Sequence, residues 1–291
     1  VIKSTDALPT NIDMGIVMLP AQNAPQIILE CAAKNIKTIV LAAGGFAEVD
    51  QLGKDLQAEL KSVISRTGVR VLGPNTAGHI STPQKFTSSF FPLGQIPSGP
   101  ISYIAQTGNF TGAMMRSIMS GEHYGVSRCV GLGNTVDIDE VDILDFLHND
   151  PSTGAIFIYL ESLHRPREFF NLARKVTREK PVIMLKGGAS EGGAKAALSH
   201  TASMGSNDNI LDGALKQTGV VRVKDFSDLF TVAKAAAMMP VPAGNRIGFV
   251  SPSGAFIVHI LDLCQQRTQL VFSKISAQTQ SRLEEISPPF I

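Results

Sequence analysis

The sequence predicts an α/β fold built on parallel sheets, and three observations carry that prediction. Strand-like apolar runs alternate with amphipathic helical stretches many times along the chain, which is the pattern of strands joined by crossover helices. Several runs end directly in small or polar turn residues, as in Ala105-Gln106-Thr107-Gly108-Asn109-Phe110 and Ile158-Tyr159-Leu160-Glu161. With 291 residues, 44% of them hydrophobic and 18% charged, the chain is long and apolar enough to bury two or three packed units.

Taken in order, Gly15 to Leu19 and Lys37 to Ala43 read as strands, with helices over Pro25 to Asn35 and Gln51 to Arg66. Val69 to Leu72 then runs into Gly73-Pro74-Asn75. A loop rich in Phe, Gly and Pro, Phe90 to Pro100, separates this series from a second one. There the strands are Ile101 to Ala105, Val126 to Val130, Ala155 to Leu160 and Pro181 to Leu185. The helices between and after them are Thr111 to Ser120, Val141 to Leu147, Pro166 to Val176 and Asn209 to Gln217. Pro240 and Pro242 stop the preceding helix, and Arg246 to Ser251 opens a third strand-turn-helix series. Domains are therefore expected at 1–97, 98–240 and 241–291. The third is expected to be the start of a larger domain, since a two-stranded sheet rarely stands alone. Val1 is not an initiator methionine, so the numbering is expected to begin inside a longer polypeptide.

Composition excludes several function classes. A net charge of +1 without a Lys/Arg cluster gives no nucleic-acid surface, and no apolar run approaches the ~18 residues of a membrane span. Cys31, Cys129 and Cys264 are scattered, without CxxC or His-rich spacing, so neither a disulfide framework nor a metal site is expected. A reducing, cytoplasmic compartment and a small-molecule ligand follow as expectations.

In open parallel sheets, ligands bind beyond the carboxyl ends of the strands, where helix N-termini present unpaired N–H groups. Gln106-Thr107-Gly108-Asn109 lies between a strand and a helix, with a hydroxyl, a flexible glycine and N–H groups suited to a phosphate. The alternative is an ordinary βα turn. Glu161 follows a strand directly and is placed to hydrogen-bond one imidazole nitrogen, although a glutamate there can also simply begin a solvated loop. Beyond the glycine-rich loop that opens with Lys186-Gly187-Gly188, Ser199-His200-Thr201-Ala202 sets one histidine among small residues, open to a bulky charged partner. Other signatures fail. Gly131-Leu132-Gly133-Asn134-Thr135-Val136 lacks the last glycine of a dinucleotide fingerprint, and no loop ends in Gly-Lys-Ser/Thr. Gly188-Ala189-Ser190-Glu191-Gly192 fits a nucleophile elbow with His259 downstream, but further small residues intervene where a helix should begin at once.

These motifs resemble the alpha part of the nucleoside-diphosphate-forming acyl-CoA synthetases, a superfamily that includes ADP-forming acetate-CoA ligase and succinyl-CoA synthetase. Val17-Met18-Leu19-Pro20 and Ala43-Gly44-Gly45-Phe46-Ala47-Glu48 resemble the later half of its CoA-binding domain, and Gly73-Pro74-Asn75-Thr76-Ala77-Gly78 its GPNxxG motif. Ala105-Gln106-Thr107-Gly108 resembles its SQSG turn, and Gly133-Asn134 with Asp137 and Asp139 its GNxxDxD segment. Tyr159-Leu160-Glu161, Lys186-Gly187-Gly188 and Ser199-His200-Thr201 resemble its YLE, lysine-glycine and SHT motifs. The order is kept along essentially the whole chain.

The resemblance implies a Rossmann-like CoA-binding domain lacking its opening segment, then flavodoxin-like domains of the succinyl-CoA synthetase type. It implies an acid-thiol ligase that interconverts acid, CoA and ATP with acyl-CoA, ADP and phosphate. The route is an acyl phosphate and a phosphohistidine at His200, with Glu161 steadying the imidazole. It implies phosphate binding by Gln106, Thr107, Gly108, Asn109, Lys186, Gly187 and Gly188, and CoA or acyl contacts by Pro20, Gly45, Phe46, Asn75, Thr76 and Asn134. ATP/ADP with Mg would sit on an ATP-grasp (beta) part outside this chain, fused or separate, and the assembly is expected to be an oligomer. Thr76, Thr107 and Ala202 stand where the family commonly has Cys, Ser and Gly, so the acid used is expected to differ from acetate and the His200 loop to be stiffer. Two other readings stay open: a CoA-sensing regulatory module, like the synthetase-like part of some protein acetyltransferases, and a structural assembly subunit.

Overall fold

A computed structural model describes residues 5–9, 11–190, 192–193, 208–240, 242–265 and 269–287. His200 and its neighbours Ser199, Thr201 and Ala202 lie outside the described residues, as does Glu191. The chain divides into two units, residues 1–239 and 240–291.

The first unit holds two sheets. Strands β1 (Gly15–Val17), β2 (Thr38–Leu41) and β3 (Arg70–Leu72) form a parallel sheet in that order, with Gly15 opposite Ile39 and Thr38 opposite Arg70. Helices α1 (Ala24–Ala33) and α2 (Gln51–Thr67) connect them. Asp50 starts α2 by accepting a hydrogen bond from Gly53 N at 2.8 Å, and Gly68, at φ 70°, ends it. Ile28, Ile39, Leu41, Phe46, Leu60 and Val71, all fully buried, fill the core between these helices and the sheet.

The second sheet has seven strands. Its five parallel members are β6 (Ser98–Ala105), β7 (Val126–Gly131), β8 (Ala155–Leu160), β9 (Val182–Lys186) and β10 (Val221–Val223), in the order β10-β9-β8-β6-β7. That is a flavodoxin-like order, and the winding of successive strands switches sides between β6 and β8. Two short strands the sequence pattern does not announce, β4 (His79–Ser81) and β5 (Phe86–Thr87), extend the sheet beyond β7 with antiparallel pairing. Residues 79–87 therefore belong structurally with the second sheet, although the sequence division groups them with the first.

Most predicted elements of this unit form within a few residues of their expected ends. The stretch Thr111 to Ser120 differs: it is a 3-10 turn over Gly108–Thr111, helix α3 (Ala113–Ser117) and a π turn over Ile118–Glu122. Gly112 breaks the helix because the ring of Phe91 packs onto it, at 2.8 Å from where a Cβ would stand. The remaining helices are α4 (Glu140–Asn149), α5 (Pro166–Val176), α6 (Asp208–Thr218) and α7 (Phe226–Met238).

A polar clamp joins the two sheets. Asp137 accepts from Val71 N at 2.7 Å and from Arg70 Nε at 3.0 Å, while Ile138 N donates to Val71 O at 3.2 Å. Asp139 caps α4 through Val141 N at 2.9 Å and Asp142 N at 3.2 Å, and also binds Arg165 Nε at 2.5 Å. Both aspartates of the GNxxDxD-like segment thus serve the fold. Burial alone would raise the Asp139 pKa, but Arg165 and the two cap N–H groups outweigh it and hold it below the usual carboxylate range. A lowered folded pKa means stabilisation that is complete above the unfolded value and lost as pH falls through the folded one. Asp139→Ala is therefore expected to cost about 2 kcal/mol at pH 7 in urea unfolding, and the deficit should shrink below about pH 4, where wild type loses the same interaction.

The second unit, residues 240–291, pairs strands Arg246–Ile247 and Val271–Phe272 in parallel and carries helices α8 (Gly254–Gln265) and α9 (Ala277–Ile286). Cys31, Cys129 and Cys264 are free thiols. Among the described residues no helix is long and apolar enough to cross a membrane.

Candidate active site

The carboxyl ends of both sheets meet. The segment Gly73-Pro74-Asn75-Thr76-Ala77-Gly78 leaves β3 and passes directly over the turns that leave β7 and β6. Asn134 N donates to Pro74 O at 2.8 Å and Val136 N to Gly73 O at 3.0 Å. Thr76 is buried, its hydroxyl donating to Gly131 O at 2.5 Å and accepting from Gly78 N at 3.0 Å. Ala77 then touches the turn after β6: Thr111 Oγ1 donates to Ala77 O at 3.3 Å, and Ala77 Cβ lies 3.6 Å from where a Cβ on Gly108 would stand. Two groups of predicted residues are thereby brought within one short segment of each other.

The first group centres on a carboxylate that sequence reasoning left out of the site, Glu48. Its Oε1 accepts from Gly45 N at 2.6 Å and Phe46 N at 3.2 Å, and its Oε2 from Asn134 Nδ2 at 2.5 Å. Asn134 Nδ2 also donates to Gln57 Oε1 at 3.1 Å, and Asn75 Nδ2 to Asn134 Oδ1 at 3.4 Å. Burial pushes the Glu48 pKa upward, yet the Asn134 amide and the backbone N–H groups prevail and hold it below the usual range. The Glu48 charge is thus matched by donors from the loops that follow β2 and β7. No signal in the sequence pairs Glu48 with Asn134, 86 residues away; only the fold does. Gly45, at φ 100°, is exposed, whereas the Phe46 side chain is fully buried in the first core and offers a ligand only its backbone. Pro20 is exposed just beyond β1.

The second group lies at the switch in strand order between β6 and β8. Gln106 is buried, and its Oε1 accepts from Glu161 N at 2.9 Å and Ser162 N at 3.0 Å while its Nε2 donates to Ser162 Oγ at 2.9 Å. The side chain therefore clamps the Glu161 backbone to the end of β6. Thr107, Gly108 and Asn109 form the open turn beside it: Thr107 Oγ1 accepts from Asn109 N at 3.4 Å, and Asn109 is exposed. Fully buried Glu140 holds the far end of the Glu161 loop, accepting from His164 N at 2.7 Å. Removal of the Gln106 amide leaves two loop N–H groups without acceptors. Gln106→Ala is expected to lower stability by about 2–3 kcal/mol in denaturant unfolding.

Lys186, at the end of β9, is buried, and its Nζ donates to Glu161 O at 2.6 Å and to Gly187 O. Burial holds its pKa below the ordinary lysine range. Gly187 and Gly188, the latter at φ 72°, continue past the Glu161 side chain. Ser190 Oγ accepts from Gly193 N at 3.1 Å. Among the described residues no group of three His, Cys, Asp or Glu side chains is arranged to hold a metal ion.

A three-stranded parallel sheet and a flavodoxin-like sheet thus share an edge that carries glycine turns, an ordered carboxylate and backbone donors. The CoA binding domain profile matches residues 1–45, and the succinyl-CoA ligase like flavodoxin domain profile matches residues 98–236. The chain is 36% identical over 283 residues to acetate–CoA ligase [ADP-forming] II of Archaeoglobus fulgidus, covering 97% of this chain and 42% of that one. It is also 36% identical to the alpha subunit of acetate–CoA ligase [ADP-forming] I of Pyrococcus furiosus, covering 91% of this chain and 57% of that one. A solved acetyl-coenzyme A synthetase 1 of Ca. Korarchaeum cryptofilum, in complex with phosphate and ADP, superposes with a TM-score of 0.92 at 32% identity, covering 99% of this chain and 61% of that chain. The chain thus spans about half the length of the curated relatives it matches. It belongs to the NDP-forming acyl-CoA synthetases and corresponds to their alpha part.

Proposed function

We propose that this chain is the alpha part of an NDP-forming acyl-CoA ligase that couples carboxylic acid, CoA and ATP to acyl-CoA, ADP and phosphate. The observation that carries the reading is the meeting of the two sheet edges, which sets the Glu48–Asn134–Asn75 group within three residues of the Thr107–Asn109 turn. An acyl phosphate has two such ends. Its acyl end, and the CoA thiol that attacks it, fit the side of Pro20, Gly45, the Phe46 backbone, Asn75, Thr76 and Asn134. Its phosphoryl end fits the N–H groups of Thr107, Gly108 and Asn109 and of Gly188, with Gln106 and Lys186 fixing the backbone around them; the Gly187 N–H is taken by Leu160 O at 2.9 Å, so Gly187 offers only its bare Cα.

His200 is the nucleophile. Its neutral imidazole attacks the phosphorus of the acyl phosphate in line, the P–O bond to the carboxylate breaks, and the free acid leaves. Glu161 accepts a hydrogen bond from the other imidazole nitrogen and offsets the positive charge that develops there. The phosphohistidine then gives its phosphoryl group to ADP, making ATP, on an ATP-grasp part that also holds Mg; the reverse sequence consumes ATP and forms acyl-CoA. That part is fused to this chain or a separate subunit of an oligomer, working in the cytoplasm.

Incubation of the complete enzyme, nucleotide part included, with gamma-labelled ATP and Mg tests the reading. An acid-labile, base-stable label is expected on the peptide containing His200. The label should vanish when CoA is added with one of a panel of acids, here acetate, 4-hydroxybutyrate and benzoate. CoA binding without any label would favour a regulatory module instead.

A further inference from the structure

Glu161 must present its carboxylate in one orientation if it is to fix an imidazole, and a glutamate at a strand end has three side-chain torsions with which to wander. Two features restrain it. Tyr159 precedes it by two residues, at the end of β8, and Tyr159 Oη donates to Glu161 Oε1 at 3.2 Å. The Tyr159 ring is itself held, 5.2 Å from the Phe226 ring at the start of α7. On the other side, Gly187 lies against the pair. A Cβ there would stand 2.9 Å from Tyr159 Oη and 3.2 Å from Glu161 Cγ, so any side chain would push the two apart. Burial first, and the Glu161 charge second, push the Tyr159 pKa up to about 12, which keeps its hydroxyl a donor across the working pH range.

We propose that Tyr159 is a positioning residue of the phosphoryl-transfer site: its hydroxyl tethers Oε1 of Glu161 and so fixes the orientation of the carboxylate, and Gly187 is bare to let this pair form. The inference rests on the phosphohistidine reading above. It also gives the first glycine of the Lys186-Gly187-Gly188 loop a steric reason beyond loop mobility.

Tyr159→Phe keeps the ring and its packing on Phe226 and removes only the tether. The complete enzyme is first charged on His200 with labelled ATP and then discharged with CoA and whichever acid of the panel empties wild type fastest. In Tyr159→Phe, the extent of charging should match wild type and the thermal midpoint should stay within about 2 °C. Discharge should slow about tenfold, the worth of one hydrogen bond to a charged group. In a Glu161→Gln background the same substitution should change the rate by less than about twofold, since Tyr159 acts only through that carboxylate. Gly187→Ala should reproduce the slowed discharge. An unchanged rate in Tyr159→Phe overturns the inference alone, as does an equal tenfold loss in the Glu161→Gln background. Absence of label on wild-type His200, or label that no acid of the panel removes, overturns the ligase reading and this inference with it.

Discussion

Replacing His200 with asparagine is expected to abolish acyl-CoA formation, a fall of about 10^4-fold or more, while the Kd for CoA stays within about twofold of wild type. The size of the effect follows from the proposed chemistry. Asparagine has a similar reach and polarity but no nitrogen lone pair that can take a phosphoryl group, so the step that moves the phosphoryl group to the nucleotide part has no carrier. The Asn75, Asn134 and Glu48 group assigned to CoA and the acyl end is held by hydrogen bonds among its own members, such as Asn134 Nδ2 to Glu48 Oε2 at 2.5 Å. Calorimetric titration of CoA beside a coupled ADP-release assay measures both halves of the prediction. Substantial turnover by His200→Asn would require a direct route from acyl phosphate to ADP and would remove the phosphohistidine from the mechanism.

The second large effect is expected at Gly133. A methyl group there would fall well inside contact distance of Pro74 O and 2.9 Å from the Asn75 carbonyl, and the residue already sits at φ 64°. The turn cannot slide away cheaply, because Asn134 N and Val136 N just after it are bonded to Pro74 O and Gly73 O at 2.8 and 3.0 Å. Gly133→Ala is therefore expected to cost about 3–5 kcal/mol in urea unfolding, combining left-handed strain, overpacking and weakened hydrogen bonds. It should also reduce activity, since Asn134 would move away from Glu48. Gly68→Ala is the matched control: its φ is 70°, but no atom lies within 4 Å of the new Cβ, so only about 1 kcal/mol is expected. Equal losses at the two sites would show that backbone strain, and not the packing of the two turns, accounts for the Gly133 effect.

The parts of this molecule that were legible in the sequence are those in which local pattern and local structure coincide. Ala155–Leu160 is a continuous apolar run because the strand is central in its sheet and covered on both faces. Gln51–Thr67 begins and ends where Asp50 and Gly68 place its caps. Motifs such as Gly73-Pro74-Asn75 and Tyr159-Leu160-Glu161 could be placed at strand ends because strand ends are where such turns occur. What the sequence did not disclose depends on distant pairing. The strand His79–Ser81 has only three residues and is fixed by its partner Arg128 to Val130 rather than by its own propensity. The Glu48 network draws on residues 45, 57 and 134. Gln106, read as a phosphate ligand, proved to have its amide engaged with the Glu161 loop, a relation no spacing rule encodes.

The clamp at Asp137 has a consequence for how such proteins can be taken apart. Strand β3 is the last member of its sheet, and its exposed margin is closed by residues 136–138 of the following domain, through Val71 N to Asp137 and Ile138 N to Val71 O. A piece cut near residue 97 would carry that margin open, with a polar N–H and carbonyl ready to recruit a foreign strand. The first sheet is thus a module only in its connectivity. In its chemistry it is unfinished until the chain reaches Asp139, and the smallest fragment that could be grafted or inherited intact must extend past that residue.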